Sequence, residues 1–230
     1  MNRLLIVIPA YNEAENIERV VDNLKNNYLQ YDYVVINDGS KDDTARICKK
    51  NGYNLIDLPI NLGLAGAFQA GMKYAYKHNY DYVTQLDGDG QHNPEYIVDM
   101  VEKAERENLD VIIGSRFVER KRPHSLRMVG NNLLNICIYL TTGKRISDPT
   151  SGMRLFNKKM IEKFATQMNY GPEPDTIAFL LRCKAKVGEC QVVMNDRIAG
   201  ESYLNLANGI KYMFHMCASI LVVQWFRKKV

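Results

Sequence analysis

Short apolar runs alternate with amphipathic stretches along the first 115 residues of this chain. Leu4-Leu5-Ile6-Val7-Ile8 has the continuous hydrophobicity of a strand buried on both faces, and Asn12 to Asn27 has the spacing of a helix. The pattern then repeats. Strands are predicted at Tyr33 to Ile36, Leu55 to Leu58, Tyr82 to Leu86 and Val111 to Ile113, with helices between them at Lys41 to Asn51, Leu64 to His78 and Glu95 to Glu107. This alternation predicts an α/β fold, a mainly parallel sheet flanked by helices on both faces. Such sheets bind ligands beyond the carboxyl ends of their strands.

Beyond residue 116 the rhythm changes. Ser125 to Thr142 reads as an apolar-rich helix, Thr150 to Phe156 as a loop entering a strand, Glu173 to Val187 as a helix behind Gly171-Pro172, and Gln191 to Met194 as a final strand. The last segment, Gly209 to Val230, has an apolar part shorter than the roughly 20 residues that span a bilayer. Its ending, Trp225-Phe226-Arg227-Lys228-Lys229, places aromatics before cations, as interfacial membrane anchors do. Docking on the core or on a membrane partner are the other readings. The expected organisation is an α/β domain over 1–205 and a membrane-associating helix over 206–230, with no linker, repeat or low-complexity segment.

At 230 residues and 46% hydrophobic, the chain suffices for one sizeable core. A net charge of +4 makes no case for nucleic acid. The charge is uneven, however: Arg116 to Arg127 holds five Lys or Arg and one His against one Glu, a stretch suited to phosphates or anionic headgroups if it is more than a solvated face. Five cysteines without CxxC spacing read as reduced core residues of a cytosolic protein. Leu4 to Ile8 is too short for a secretory signal and is stopped by Pro9.

Polar and glycine-rich segments fall where the fold would hold a ligand. Strand one runs into Pro9-Ala10-Tyr11-Asn12-Glu13, and strand two into Asn37-Asp38-Gly39-Ser40 and Lys41-Asp42-Asp43-Thr44. The third helix is preceded by Asn61-Leu62-Gly63-Leu64-Ala65-Gly66, and strand five ends in Gly114-Ser115-Arg116. Strand four delivers Gln85-Leu86-Asp87-Gly88-Asp89-Gly90-Gln91-His92. Any one of these could be a turn with an N-cap, and a lone Asp-x-Asp a solvated turn. Five on one sheet edge indicate a binding site. Asp87 and Asp89 repel unless something positive lies between them. A hard divalent cation, held by carboxylate oxygens and still open to a phosphorylated ligand, removes that conflict. His92, beside Asn93-Pro94, reads as a solvated loop histidine rather than a ligand or general base; His78, His124 and His215 form no pairing.

Taken in order, Ile8-Pro9-Ala10-Tyr11-Asn12-Glu13, Asn37-Asp38-Gly39-Ser40, Asn61-Leu62-Gly63, Asp87-Gly88-Asp89-Gly90-Gln91, Gly114-Ser115-Arg116 and Ser151-Gly152-Met153-Arg154 resemble the inverting GT-A glycosyltransferases. Within them the chain is most similar to the polyprenyl-phosphate glycosyltransferases, the dolichol-phosphate mannosyltransferase-like group, over nearly its whole length. The resemblance implies a GT-A (Rossmann-like) fold. It implies that Pro9, Ala10, Tyr11, Glu13 and Asp38 hold the base and ribose of a nucleotide sugar, with Gly63 and Gly66 letting the backbone pass close to it. Asp87, Asp89 and Gln91 would bind Mg2+ or Mn2+ across the donor diphosphate, and Asp89 and Arg116 would serve catalysis. Arg116 and Arg127 would face the phosphate of a polyprenyl-phosphate acceptor, with Arg154 orienting it. Arg197, Gly200 and Ser202 fall where the group has a diphosphate-clamping loop. There the chain departs from the mannosyltransferase pattern: Tyr203 stands where a lysine is expected, and a tyrosine does not neutralise a diphosphate as an ammonium does. A UDP-sugar such as UDP-glucose or UDP-N-acetylglucosamine is therefore favoured over GDP-mannose. Gly171-Pro172-Glu173-Pro174-Asp175 either contacts sugar hydroxyls or is a rigid turn.

Elementary chemistry agrees with this expectation. Breaking a sugar–nucleoside diphosphate bond leaves negative charge on the leaving group, which a metal stabilises as a Lewis acid. An alcohol acceptor needs a base, whereas a phosphate monoester is already anionic, so that cationic groups aligning two anions matter more. A guanidinium at Arg116 offers bidentate contacts to phosphate, its bland alternative being a surface ion pair. The expected enzyme makes a lipid-linked sugar for cell-envelope glycan modification, peripherally at the cytoplasmic face of the membrane, as a homo-oligomer or with a small membrane protein partner. The alternatives are a transferase acting on a glycan hydroxyl, a sugar-1-phosphate nucleotidyltransferase, and a non-catalytic nucleotide-sugar adaptor. The nucleotidyltransferase would need a glycine-rich basic loop where Pro9 to Glu13 stand.

Overall fold

The computed structural model describes residues 2–120, 126–195 and 206–227, without the side chains of 126, 127, 206–208 and 210. The predicted alternation is present: β1 (Leu4–Ala10), α1 (Ile17–Asn27), β2 (Asp32–Asn37), α2 (Thr44–Lys50), β3 (Leu55–Asp57), α3 (Gly63–Lys77), β4 (Tyr82–Gln85), α4 (Ile97–Glu107) and β5 (Val111–Ser115). Then follow α5 (Leu126–Thr142), β6 (Arg154–Asn157), α6 (Lys158–Thr166), α7 (Pro174–Arg182), β7 (Val187–Gln191) and α8 (Leu206–Leu221). The seven strands form one sheet in the order β3-β2-β1-β4-β6-β5-β7. β6 alone among them is antiparallel, inserted between β4 and β5.

The apolar run of β1 explains why the sheet is covered on both faces. Leu5 and Val7 join a core with α3, α6, α7 and α8, while Leu4, Ile6 and Ile8 join a second core with α1 and α4. Successive side chains of a strand point to opposite faces, so a strand with no polar position must be covered twice. On the first face, Phe68 of α3, Phe156 of β6 and Phe164 of α6 pack with ring centroids 5.1 to 5.4 Å apart, in tilted and edge-to-face arrangements. Gly71 of α3 lies so close to β1 that an added Cβ would stand 2.4 Å from Val7 Cγ1.

The structure changes several expectations. α1 begins at Ile17, not near Asn12, because residues 12–14 hydrogen-bond to the loop after β2 instead of to a helical turn. The predicted helix Glu173 to Val187 divides: α7 starts with Pro174 at its first turn and ends at Arg182, and Lys184 turns the chain through a positive φ of 62°. The last strand consequently lies at Val187–Gln191, not Gln191 to Met194, pairing in parallel with β5. α6 was not foreseen. Asn157 starts it by accepting the Met160 N–H at 3.0 Å, and Met160, Ile161 and Phe164 form its buried face.

α8 packs against α5 and α7, and its Met216 and Ile220 belong to the core. No helix among the described residues is long and apolar enough to cross a membrane.

Candidate active site

The loops after β1 and β2 are laced together by side chains of the motif residues. Asn12 donates its N–H to Ser40 Oγ at 2.9 Å, and its own Oδ1 accepts the Lys41 N–H at 2.9 Å. Glu13 N–H reaches Thr44 Oγ1 at 2.9 Å and Ala14 N–H reaches Asp42 Oδ2 at 3.0 Å. Asn12 can do this because it adopts a positive φ of 57°, which asparagine tolerates. Burial works to raise the Asp42 pKa, but the Thr44 hydroxyl and amide and the Ala14 amide outweigh it and hold that carboxyl below its ordinary value. Ala10 is buried at the end of β1, Pro9 is half-buried, and Tyr11 projects outward.

Asp38 is nearly buried at the end of β2, and its Oδ1 accepts the Leu62 N–H at 2.7 Å, tying this loop to the start of α3. Gly39 makes that junction possible. Its φ is +64°, and a Cβ there would lie 2.5 Å from Asn61 N and from Ile60 C. Gly39→Ala is therefore expected to push residues 60–63 away from Asp38. A loss of about 1–3 kcal/mol in stability, measured by urea denaturation, would accompany that displacement. Gly63 has a φ of +74° with open space where a side chain would be, whereas at Gly66 that space is filled by Leu62. Gly171 adjoins the same helix start, 3.1 Å from Ala65 Cβ by its hypothetical Cβ.

Asp87 and Asp89 follow β4 at the same sheet edge. Asp89 is 5% exposed, and its Oδ1 accepts the Gln91 N–H at 3.0 Å. Arg19 of α1 clamps the loop from outside, donating to the Asp89 carbonyl at 3.1 Å and packing over Gly90. Asp87 is half-exposed, and its Oδ1 accepts from Gln85 Nε2 at 3.1 Å. The backbones of Gln91 and Asn195 join at 2.9 Å.

His92 is buried, which corrects the expectation of a solvated loop residue. Its Nδ1 accepts the Asp87 N–H at 3.0 Å, so that nitrogen is unprotonated and Nε2, 3.6 Å from Asp87 Oδ2, carries the proton. Gly152 closes over the pair, a Cβ there falling 3.0 Å from Asp87 Oδ2 and 3.1 Å from His92 Cε1. His92→Ala would leave the Asp87 amide without its acceptor and is expected to cost about 1–3 kcal/mol in stability, with His92→Asn, whose Oδ1 can stand in for Nδ1, losing less. Parallel melting curves would check both.

Arg116 grips a carboxylate that motif reading did not single out. Nε and Nη2 bind Asp148 Oδ2 and Oδ1 at 2.7 and 2.8 Å, and the Arg116 N–H adds a third bond at 3.2 Å. Asp148 is fully buried, itself held by Thr150 and by the amide that Glu189 accepts at 3.0 Å. The ion pair is thus an internal strut, not the surface pair of the bland reading, and it leaves a fifth of the Arg116 side chain (21%) exposed.

Arg154 requires a correction. It is 1% exposed and donates to the carbonyls of Ser151 (3.0 Å), Pro149 (2.8 Å) and Glu173 (3.2 Å). Burial holds its guanidinium pKa below the ordinary value despite nearby Glu173, Tyr212, Asp175 and Asp148. Sitting in a central strand, it presents no face to an acceptor phosphate and instead joins residues 149–151 to the 171–175 turn. Arg197, Gly200, Ser202 and Tyr203 lie outside the described residues, as does the Arg127 side chain, although its backbone is in α5.

The donor set suits a hard divalent ion. Asp87 and Asp89 offer carboxylate oxygens from one short loop, and the buried Gln85 Oε1 beside them has no protein partner. Among the described residues no group of three or more His, Cys, Asp or Glu forms a cage.

The sheet and its loops define a GT-A-like fold. Glucosyl-3-phosphoglycerate synthase from Mycobacterium tuberculosis, crystallised with Mn2+, UDP and phosphoglyceric acid, superposes with a TM-score of 0.70 at 16% identity, covering 96% of this chain and 79% of that one. Residues 5–165 match the family described as glycosyl transferase family 2. The chain belongs to that family and is a glycosyltransferase. It is 30% identical over 213 residues to a UDP-N-acetylglucosamine–dolichyl-phosphate N-acetylglucosaminyltransferase of Methanococcus voltae, covering 82% of this chain and 84% of the relative. An undecaprenyl-phosphate mannosyltransferase of Micrococcus luteus is 26% identical over 219 residues, 88% of each.

Proposed function

We propose that this enzyme transfers a sugar from a nucleotide sugar to a polyprenyl phosphate, with inversion, at the cytoplasmic face of a membrane. The observation that carries the reading is the convergence on one sheet edge of Asp38, Asp87 and Asp89 with Arg116. Two relatives named for transfer to dolichyl and undecaprenyl phosphate support the acceptor.

In this reading, Pro9 to Glu13 and Asp38 hold the nucleoside, and Gly63 and Gly66 border it. Asp87 and Asp89, with Gln91 beside them, would hold Mg2+ or Mn2+, which when bound supplies Lewis-acid stabilisation of the leaving diphosphate. Arg197 and Ser202 are assigned to the diphosphate. Arg116, oriented by Asp148, turns its remaining edge to the acceptor phosphate, with Arg127 as a second cation. A phosphate monoester needs no base to become a nucleophile, so holding two anions in line carries the catalysis. Arg154 shapes this wall from beneath.

The donor divides the relatives. Tyr203 and the Methanococcus relative favour a UDP-sugar, while the Micrococcus relative, named as a mannosyltransferase, supports transfer of mannose, for which GDP-mannose is the alternative donor. The test is nucleoside diphosphate release from UDP-N-acetylglucosamine, UDP-glucose and GDP-mannose, with Mn2+, and with either short-chain polyprenyl phosphate or an oligosaccharide as acceptor. Release stimulated only by the lipid phosphate is expected. Stimulation only by the oligosaccharide would replace the acceptor with a glycan hydroxyl.

A further inference from the structure

α5 carries an outward apolar stripe that nothing among the described residues covers. Val129, Leu133, Ile136 and Leu140 follow helical spacing and are all exposed, Leu140 at 70%. The inner face of the same helix (Leu134, Cys137, Ile138) belongs to the core, so the outer stripe stands apart from it. α8 packs along α5, with Met213 against Gly130, and continues the apolar surface through Phe214, Leu221, Val222, Trp225 and Phe226, the last 86% exposed.

In sequence, the segments that contain these two helices are free of acids. Residues 120–147 and 202–230 hold ten of the chain's 30 Lys and Arg and none of its 26 Asp and Glu; the remainder has twenty cations against 26 acids. Lys144, Arg145 and Lys211 are exposed at these helices. The C-terminal end is anchored internally. Asp175, buried, accepts from Ser219 Oγ and from Arg227 Nη2, each at 2.6 Å, and the Arg227 guanidinium lies 4.2 Å from the Tyr170 ring centre. The Tyr212 hydroxyl bonds the Glu173 carboxylate. Trp225 and Phe226 are therefore presented from a pinned segment.

We infer that α5 and α8 together form a platform that seats on an anionic lipid bilayer, with the α5 stripe as a principal inserted element. This deepens the proposed function and rests on it for the choice of occupant. An apolar stripe flanked by the exposed cations Lys144, Arg145 and Lys211 matches an anionic headgroup layer over acyl chains. A two-fold dimer through the same face would set two acid-free cationic segments against each other. In the chain, α5 lies between Arg116 and Asp148, so their ion pair ties the two segments flanking the helix together.

Trp225 is the chain's single tryptophan, which makes the intact protein its own probe. Phosphatidylcholine vesicles containing phosphatidylglycerol are expected to bind the protein on flotation and shift Trp225 emission to the blue, weakening as salt rises; phosphatidylcholine alone should do neither well. The double variant Leu133→Glu, Leu140→Glu is expected to lose vesicle affinity roughly tenfold or more, keep its melting temperature, and keep turnover on a short water-soluble polyprenyl phosphate. Unchanged vesicle binding by this variant would overturn the platform, as would a concentration-dependent dimer abolished by the variant. Turnover on the soluble acceptor without vesicle binding by the parent protein would overturn the platform and leave the proposed function standing. Vesicle binding that the variant loses, with no turnover on any acceptor, would support the platform and sink the proposed function.

Discussion

Asp89→Asn is expected to slow turnover roughly 10²–10³-fold, the usual loss when one group stabilising transition-state charge is removed. The substitution separates charge from structure. Asp89 Oδ1 accepts the Gln91 N–H, and an asparagine oxygen can keep that bond, so the loop closed by Arg19 over Gly90 should persist. What is lost is half of the carboxylate pair, and with it affinity for a hard divalent ion. Turnover measured across a Mn2+ titration, alongside a melting curve, distinguishes the cases. A lowered melting temperature with parental turnover would mean that Asp89 is only a loop residue.

The second large effect is expected at Asp148. This fully buried carboxylate takes three bonds from Arg116 and one from Thr150. Removing one partner of a buried pair leaves the other uncompensated, a cost of about 3–5 kcal/mol. The exposed fifth of Arg116 lets water relieve part of that penalty, so Asp148→Ala should lie near the lower end, about 3 kcal/mol. Turnover should fall further than stability explains, because the guanidinium loses its orientation. Arg116→Lys keeps a charge but not the fork, and is expected to recover little. Urea denaturation with paired kinetics checks this. An Asp148→Ala protein within about 0.5 kcal/mol of the parent would show that the strut contributes nothing.

The strands that appeared plainly in the chain are those with a continuous apolar run, because burial on both faces leaves no polar position to confuse the pattern: β1, β2 and β5. β7 was misplaced because it is an edge strand of half-buried residues, Val187-Gly188-Glu189-Cys190-Gln191, whose pattern carries little hydrophobic signal. α6 follows β6 with no intervening loop, so its boundary was invisible without the Asn157 cap.

The candidate site was legible for a different reason. Glycines and carboxylates at strand ends are expensive to place without a ligand, and they mark the edge whatever the exact topology. What pattern could not convey was depth. Arg154 and Arg116 look alike as cations beside a motif, yet β6 enters the middle of the sheet and buries the first, while β5 ends at the edge and exposes part of the second. Arg19 and Asp148 escaped notice because their importance lies in contacts made across the fold. Asp148 had the one available signal, its position just before Thr150-Ser151-Gly152.

The central claim is that the sugar ends on a lipid phosphate. The most direct measurement is mass spectrometry of the organic-phase product after incubating the protein with Mn2+, a UDP-sugar and short-chain polyprenyl phosphate. The Asp89→Asn protein and a chelator serve as controls. The expected result is a polyprenyl-phosphate-linked sugar, absent from both controls. Nucleoside diphosphate release that yields free sugar or a glycosylated saccharide, with the lipid phosphate unmodified, would contradict it.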